Sequence, residues 1–229
     1  CKYTGLKYCL GLNSGTDALM MSLWSNGITK GDEVITSPIS FIASSNSIIH
    51  VGAKPVFVDV GEDLNINPDL IEKAITKKTK AILPVHWTGR MANMEKILKI
   101  AKKYKLIVIE DAAQAMGAYF KKKHAGSFGD ISAFSAHPLK NLNALGDGGF
   151  LITNNKKIYQ KVKLFRNHGM QSRDNVKILG VNSRLDSLNA EILSFRLKKL
   201  EKIIKKRRNN INLYKKFIKT DNVVLPSES

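Results

Sequence analysis

The sequence predicts an α/β domain built on a mostly parallel sheet. Three observations lead there. Apolar runs of strand length alternate with helical patterns along most of the chain. One run, "LIVIED", has an unbroken apolar core, as suits a strand buried on both faces. Small and polar residues follow several of these runs, at the carboxyl-end edge where such sheets bind ligands. The 229 residues are enough for one large domain.

The elements follow in order. "KYCLGL" is a strand leading into "SGTDALMMSLWSNG", a helix whose buried face begins at Ala18, Met21 and Leu23 and which ends before Gly27. "DEVITS" reads as a strand, "FIASSNSIIHVG" as a helix closed by Gly52, and "KPVFVDV" as the next strand. "NPDLIEKAI" starts a helix with Asn67 as N-cap and Pro68 in the first helical position, where the missing N–H costs nothing. "KAILPVH" is a strand, "NMEKILKIAKKYK" an amphipathic helix, and "LIVIED" the buried strand. "ISAFS" and "GFLIT" close the strand series before a helix at "NKKIYQKVKLFRNHG". After Arg184 one long helix is expected, with Leu193, Leu197, Leu200 and Ile204 forming an apolar stripe on an otherwise basic rod.

Composition narrows the function classes. The hydrophobic and charged fractions, 43% and 24%, are those of a globular protein. No apolar run approaches the roughly 20 residues of a membrane-spanning helix, and no signal-peptide pattern opens the chain. Cys1 and Cys9 give neither a disulfide framework nor a metal-ligand spacing, so a cytosolic (cytoplasmic) protein without a metal is expected, with Cys9 as a core thiol. The net charge of +18, from 37 Lys+Arg against 19 Asp+Glu, raises nucleic acid as a partner. The lysines, however, are spread along the chain, with no zinc pattern and no aromatic-interleaved basic stretch. A phosphorylated small substrate or a lysine-rich surface accounts for the charge as well. Both ends look cut: the chain starts at Cys1 and stops at "NVVLPSES", so a piece of a longer enzyme is expected.

The residues after the strands suggest one ligand. Asn13-Ser14-Gly15-Thr16 opens a helix, and a small-residue turn there offers N–H groups and a positive dipole end to a phosphate; a helix cap is the plainer alternative. Asp111 ends the most buried strand, with Gln114 three residues on. A carboxylate in that place must be paired, unless it caps a helix over "AAQAMGA". Ser135 ends "ISAFS", and Lys140 follows inside "FSAHPLKNLNALGDGG". A lone lysine in a loop is ordinarily a surface residue; one held inside a site can serve as a nucleophile. A phosphate cradle, a buried carboxylate and a lysine together suit pyridoxal 5'-phosphate. Its phosphate needs the first, its pyridinium nitrogen the second, and its aldehyde the third, through a Schiff base.

These stretches resemble the sugar aminotransferases of the DegT/DnrJ/EryC1/StrS family, which have the type I fold of the pyridoxal-phosphate-dependent transferases. "LNSGTDALMMSL" is similar to the family's phosphate loop, "EDAAQAMGA" to its aspartate segment, and "FSAHPLKNLNALGDGG" to its lysine segment. "RNHG" and "GVNSRLDSLNAEI" are similar to its downstream loop and helix. The resemblance implies a three-layer α/β/α large domain over residues 1–185. A connecting helix over 186–218 and the start of a truncated small domain over 219–229 would follow. It implies that Lys140 holds the cofactor and shuttles a proton, that Asp111 pairs with the ring nitrogen, and that Gln114 and Phe41 pack on the two ring faces. Gly15, Thr16 and Ser135 would hold the phosphate. Asn182, with Arg184 nearby, would reach the phosphate of the other subunit of a homodimer with shared sites.

The implied reaction moves an amino group, from glutamate, onto a keto group of a nucleotide-linked sugar, in amino-sugar and polysaccharide biosynthesis. "GDGG" is nearer to enzymes acting at C3 than the Glu-Gly-Gly form of C4 enzymes. Ala136 stands where an aromatic is common, which would alter the substrate-side wall. Two other readings remain at this stage. Dehydratases of the family carry histidine in place of the lysine, and Lys140 speaks against that class. A regulatory or nucleic-acid-binding protein on a degenerate fold is motivated only by the charge, and the intact Lys140, Asp111 and Gln114 set speaks against it.

Overall fold

Seven strands form one sheet in the order β1-β9-β8-β5-β4-β2-β3, described from a computed structural model that covers residues 1–220, 222 and 223. The strands are β1 (Tyr8–Leu12), β2 (Glu33–Thr36), β3 (Lys54–Phe57), β4 (Thr79–Leu83), β5 (Ile107–Asp111), β8 (Ile131–Ser135) and β9 (Gly149–Thr153). Two short hairpins complete the set, one from β6 (Tyr119–Phe120) and β7 (Lys123–His124), the other from β10 (Met170–Ser172) and β11 (Asn175–Val176). The central pairs β5/β8, β4/β5, β2/β4 and β2/β3 are parallel. Only β9 runs the other way, between β1 and β8. The mostly parallel sheet is therefore as the alternation predicts.

Side chains alternate between two cores with the period of a strand. Val34, Ala81, Leu83, Ile109, Ile131, Ala133 and Leu151 face one side, packed with α1 (Gly15–Ser25), α2 (Ala43–His50) and α5 (Lys156–Phe165). Ile35, Ile82 and Val108 face the other, against α3 (Pro68–Ala74) and α4 (Met94–Tyr104). Phe134, Phe150 and Ile152 continue that second side against α6 (Ser187–Leu197) and α7 (Leu200–Phe217). The result is three layers, helix on sheet on helix.

The predicted helix starts rest on real caps. Asn67 accepts the Asp69 N–H at 3.0 Å with Pro68 behind it, and Ser14 accepts the Asp17 N–H at 3.0 Å, a contact of about 1 kcal/mol. Three expectations need correction. The single long helix after Arg184 is two helices, with a tightened turn at Lys198–Lys199 where the Lys199 N–H bonds back to Arg196. Its apolar stripe survives the break, because Leu193, Leu197, Leu200 and Ile204 all pack on one cluster. "AAQAMGA" is not a helix but two successive turns through Gly117 at φ +86°, so Asp111 caps no helix. Cys9 is exposed on the edge strand β1 rather than in the core; its neighbours Leu10 and Leu12 take the inner face. The proposed start of a further unit at 219–229 lies mostly outside the described residues. Among those described, no helix is long and apolar enough to cross a membrane.

Candidate active site

The carboxyl ends of β1, β2, β4, β5 and β8 open on one edge of the sheet, and a cavity of about 430 Å³ lies there. Gly15, Thr16, Phe41, Asp111, Gln114, Ser135 and Lys140 all line it. They come from segments more than 120 residues apart in sequence, which the strand order brings side by side.

The first wall is the start of α1. The sequence needs glycine at position 15 because α1 begins hard against the end of β8: a Cβ on Gly15 would stand 2.7 Å from the Ser135 Cβ. Gly149 has the same duty from β9, where a Cβ would lie 2.3 Å from the Ser14 carbonyl. These close approaches place the Thr16 and Ser135 hydroxyls beside the positive end of α1, the chemistry an anion needs.

The floor is Asp111, 4% exposed. Its backbone is fixed on both sides, the N–H donating to the Pro84 carbonyl at 2.9 Å and the carbonyl accepting the His86 N–H at 3.0 Å. One carboxylate oxygen accepts the Ser44 hydroxyl at 2.6 Å and the other the Ala113 N–H at 3.1 Å. Ser44 in turn lies 2.5 Å from Ser40; while Asp111 is ionised Ser44 donates to it, so Ser40 donates to Ser44. Burial pushes the Asp111 carboxyl above the usual carboxylate range, and the Ser44 and Ala113 bonds and the charge of Lys140 do not overcome it. A buried anion held this way is stabilised by any cation brought into the cavity.

Gln114 is clamped by its own side chain: its Oε1 accepts the Thr88 N–H at 2.7 Å. Phe41 lines the cavity and is 65% exposed, so much of its aromatic surface is open. Lys140 is half-buried in the turn after β8, its N–H bonded to the His137 carbonyl at 2.8 Å. It is the one lysine on the cavity wall among the described residues.

Asn182 is not brought to this cavity. It bridges to Asn167, its side-chain oxygen accepts Arg184 Nε at 2.9 Å, and it is exposed. Ala136 does not form a wall either; it is fully buried, packed beneath the site with Ala144 and Leu142. Sequence reasoning missed Ser44, Ser40, Thr88 and His86. Ser44 gave a faint signal, in a serine-rich helix start, but its bond to Asp111 spans 67 residues.

The profile of the DegT/DnrJ/EryC1/StrS aminotransferase family matches residues 1–228. A pleiotropic regulatory protein of Geobacillus stearothermophilus is 44% identical over 99% of this chain and 62% of its own length. A UDP-N-acetyl-3-dehydro-alpha-D-glucosamine 3-aminotransferase of Acidithiobacillus ferrooxidans is 47% identical over 83% of this chain and 52% of its own. Among solved structures, NtdA of Bacillus subtilis with bound cofactor PMP superposes with a TM-score of 0.82 at 39% identity, over 87% of this chain and 46% of that one. The chain thus spans from about half to three fifths of these relatives' lengths. With the matched profile covering it from end to end, the chain belongs to the DegT/DnrJ/EryC1/StrS aminotransferase family.

Proposed function

We propose that this chain carries the cofactor-binding core of a pyridoxal-phosphate-dependent aminotransferase acting on a nucleotide-linked keto sugar. The observation that carries the reading is the convergence of Asp111, Lys140 and the α1 start on one cavity. The residues fit the cofactor. Thr16, Ser135 and the α1 N-terminus suit a phosphate dianion. Asp111 suits a protonated ring nitrogen, whose charge offsets the cost of burying the carboxylate. Phe41 offers an open ring face and Gln114 a fixed one. Bound there, pyridoxal phosphate would supply an electron sink for the bonds at the carbon bearing the amine.

The chain's own residues do the rest. The α1 start and the two hydroxyls fix the phosphate end. Asp111 would keep the proton on the ring nitrogen. Lys140 is the amine that would hold the cofactor's aldehyde and, when free, the base that would carry a proton between the substrate and cofactor carbons. The donor we propose is glutamate, and the acceptor a 3-keto sugar, in line with "GDGG" at Gly146–Gly149 and with the 3-aminotransferase named above. The product would be an amino sugar for polysaccharide or glycoside assembly, made in the cytoplasm where nucleotide-linked sugars are formed.

Glutamate added alone to the full-length holoenzyme is expected to release about one 2-oxoglutarate per site, since half of a transamination needs no acceptor. A subsequent nucleotide-linked 3-keto sugar is expected to leave as its amine. If the cofactor binds and no amino acid yields its keto acid, the transfer reading is wrong.

The site is completed across a homodimer in this proposal. Asn182 is exposed, is not among the residues lining its own cavity, and is braced by Arg184. Leu179, Val181 and Leu188 beside it are exposed apolar side chains, as an interface would leave them. An amide and a guanidinium are good phosphate donors. Mixing inactive full-length Lys140→Ala with an inactive Asn182→Ala, Arg184→Ala double variant therefore restores activity, because the mixed dimer holds one intact site. Dimers that demonstrably exchange subunits and stay inactive would rule out shared sites.

A further inference from the structure

Glu110 is a charged group buried one residue from Asp111, with no place in the chemistry above. Its side chain has no exposure, and five donors converge on it. Oε1 accepts the Phe128 N–H at 2.8 Å, the Gly129 N–H at 2.6 Å and the Ser132 hydroxyl at 3.1 Å. Oε2 accepts the Gly126 N–H at 2.9 Å and bonds His86 Nε2 at 2.9 Å. Burial pushes the carboxyl up, but His86 and the backbone N–H groups hold it below the ordinary glutamate range. The N–H groups of 126–129 account for a structural anchor of that turn. They do not account for His86.

His86 leads to the cofactor face. Its Nδ1 accepts the Ala92 N–H at 3.2 Å, which only an unprotonated Nδ1 can do, so the ring proton lies on Nε2 and points at Glu110. The ring therefore ties both ends of the 86–92 turn to a fixed anion. Inside that turn the Thr88 N–H holds Gln114 Oε1, with Thr88 itself at φ +56°. Gly89 presses on the same residue: a Cβ there would be 2.9 Å from the Gln114 carbonyl oxygen. A non-glycine residue in the left-handed region persists only where its surroundings over-determine it. The His86 main-chain N–H also holds the Asp111 carbonyl. One histidine thus joins Glu110 and Asp111 directly, and Gln114 through Thr88.

We propose that the buried His86–Glu110 pair is a positioning device that sets Gln114 against the cofactor face through the turn at Thr88, and fixes the end of β5 with it. This rests on the cofactor reading for its purpose, not for its geometry.

The test uses the full-length protein and three variants chosen by shape. His86→Asn keeps an acceptor for the Ala92 N–H and loses the reach to Glu110. His86→Gln keeps a donor that reaches Glu110. Ser132→Ala removes another donor from the same carboxylate without touching the turn. In the cofactor-free protein, amide exchange at Thr88 is expected to speed up about tenfold in His86→Asn, a coupling ordinary for neighbours in contact. It is expected to recover in His86→Gln and stay at the wild-type rate in Ser132→Ala. Unchanged Thr88 exchange in His86→Asn, or equal acceleration in Ser132→Ala, overturns the proposal in favour of a merely structural pair. With pyridoxal phosphate added, the affinity losses of His86→Asn and Gln114→Ala should combine to much less than their product. Multiplicative losses overturn the proposal too. If the wild-type protein binds no pyridoxal phosphate, the functional reading falls, and the exchange rates still decide whether the pair sets the turn.

Discussion

Replacing Lys140 by Ala or Arg is expected to abolish amino-group transfer while leaving a folded protein that still takes up pyridoxal phosphate. Two functions leave with one amine. In the proposed mechanism the side chain would provide the nucleophile for the aldehyde and the base that moves the proton between carbons, and a positioned proton-handling group alone is worth about 10²–10⁴ in rate. The combined loss therefore exceeds about 10⁴. Arginine does not substitute, because its guanidinium stays charged and neither bonds an aldehyde stably nor accepts a proton. No second amine is placed to take over, since Lys140 is the one lysine on the cavity wall among the described residues. The proposed phosphate cradle at Gly15, Thr16 and Ser135 and the carboxylate of Asp111 are untouched, so binding is expected to persist without a covalent link. Borohydride treatment of the wild-type holoenzyme followed by peptide mapping should place the reduced cofactor on Lys140. A label on any other lysine refutes the assignment.

How far the sequence reveals this site depends on the range of each interaction. Caps and turns are local, and Asn67, Pro68, Ser14 and Gly52 announce them correctly. The alternation of strands with helices is also read within short windows, and it yields the parallel sheet and hence the edge where Asp111, Ser135 and the α1 start must meet. What is not legible depends on partners far along the chain. Ser44 becomes a ligand of Asp111 only once β2 and β5 are two strands apart in the sheet. His86 and Glu110 lie in ordinary strand ends until folding points them at each other. The break at Lys198–Lys199 escapes notice because the leucine spacing of one helix runs through it unchanged. Cys9 sits in an apolar run, and only the edge position of β1 with Leu10 and Leu12 turned inward shows that it faces out. Asn182 is the remaining case: a residue exposed in its own chain gives no local sign of where it acts.

The Asp111→Asn variant is expected to lose about 10²–10⁴ in rate and, when free of cofactor, to be more stable than wild type at neutral pH. The two effects have one cause. Burial raises the Asp111 carboxyl, so in the unliganded protein the ionised form is held at a cost. The folded state then binds its proton more tightly than the unfolded chain does, and stability falls as pH rises from the ordinary aspartate pKa through the folded one. Asn at this position keeps the shape, can accept the Ala113 N–H with its oxygen and donate its amide to the Ser44 hydroxyl oxygen, and has no charge to desolvate. Thermal melts of the two cofactor-free proteins should therefore coincide at low pH, where Asp111 is neutral in both states, and separate with the variant higher as pH rises. Cofactor is expected to act the other way. In the proposed complex a protonated ring nitrogen would meet the buried carboxylate of the wild type and offset its cost, whereas the variant has only a neutral amide to offer. Pyridoxal phosphate should raise the wild-type melting temperature more than that of the variant. A variant that turns over like wild type would show Asp111 to be a strand-end fixture and no more. One with reduced turnover but no pH-dependent gain in the unliganded melt would show that the carboxylate does not bear the burial cost assigned to it here.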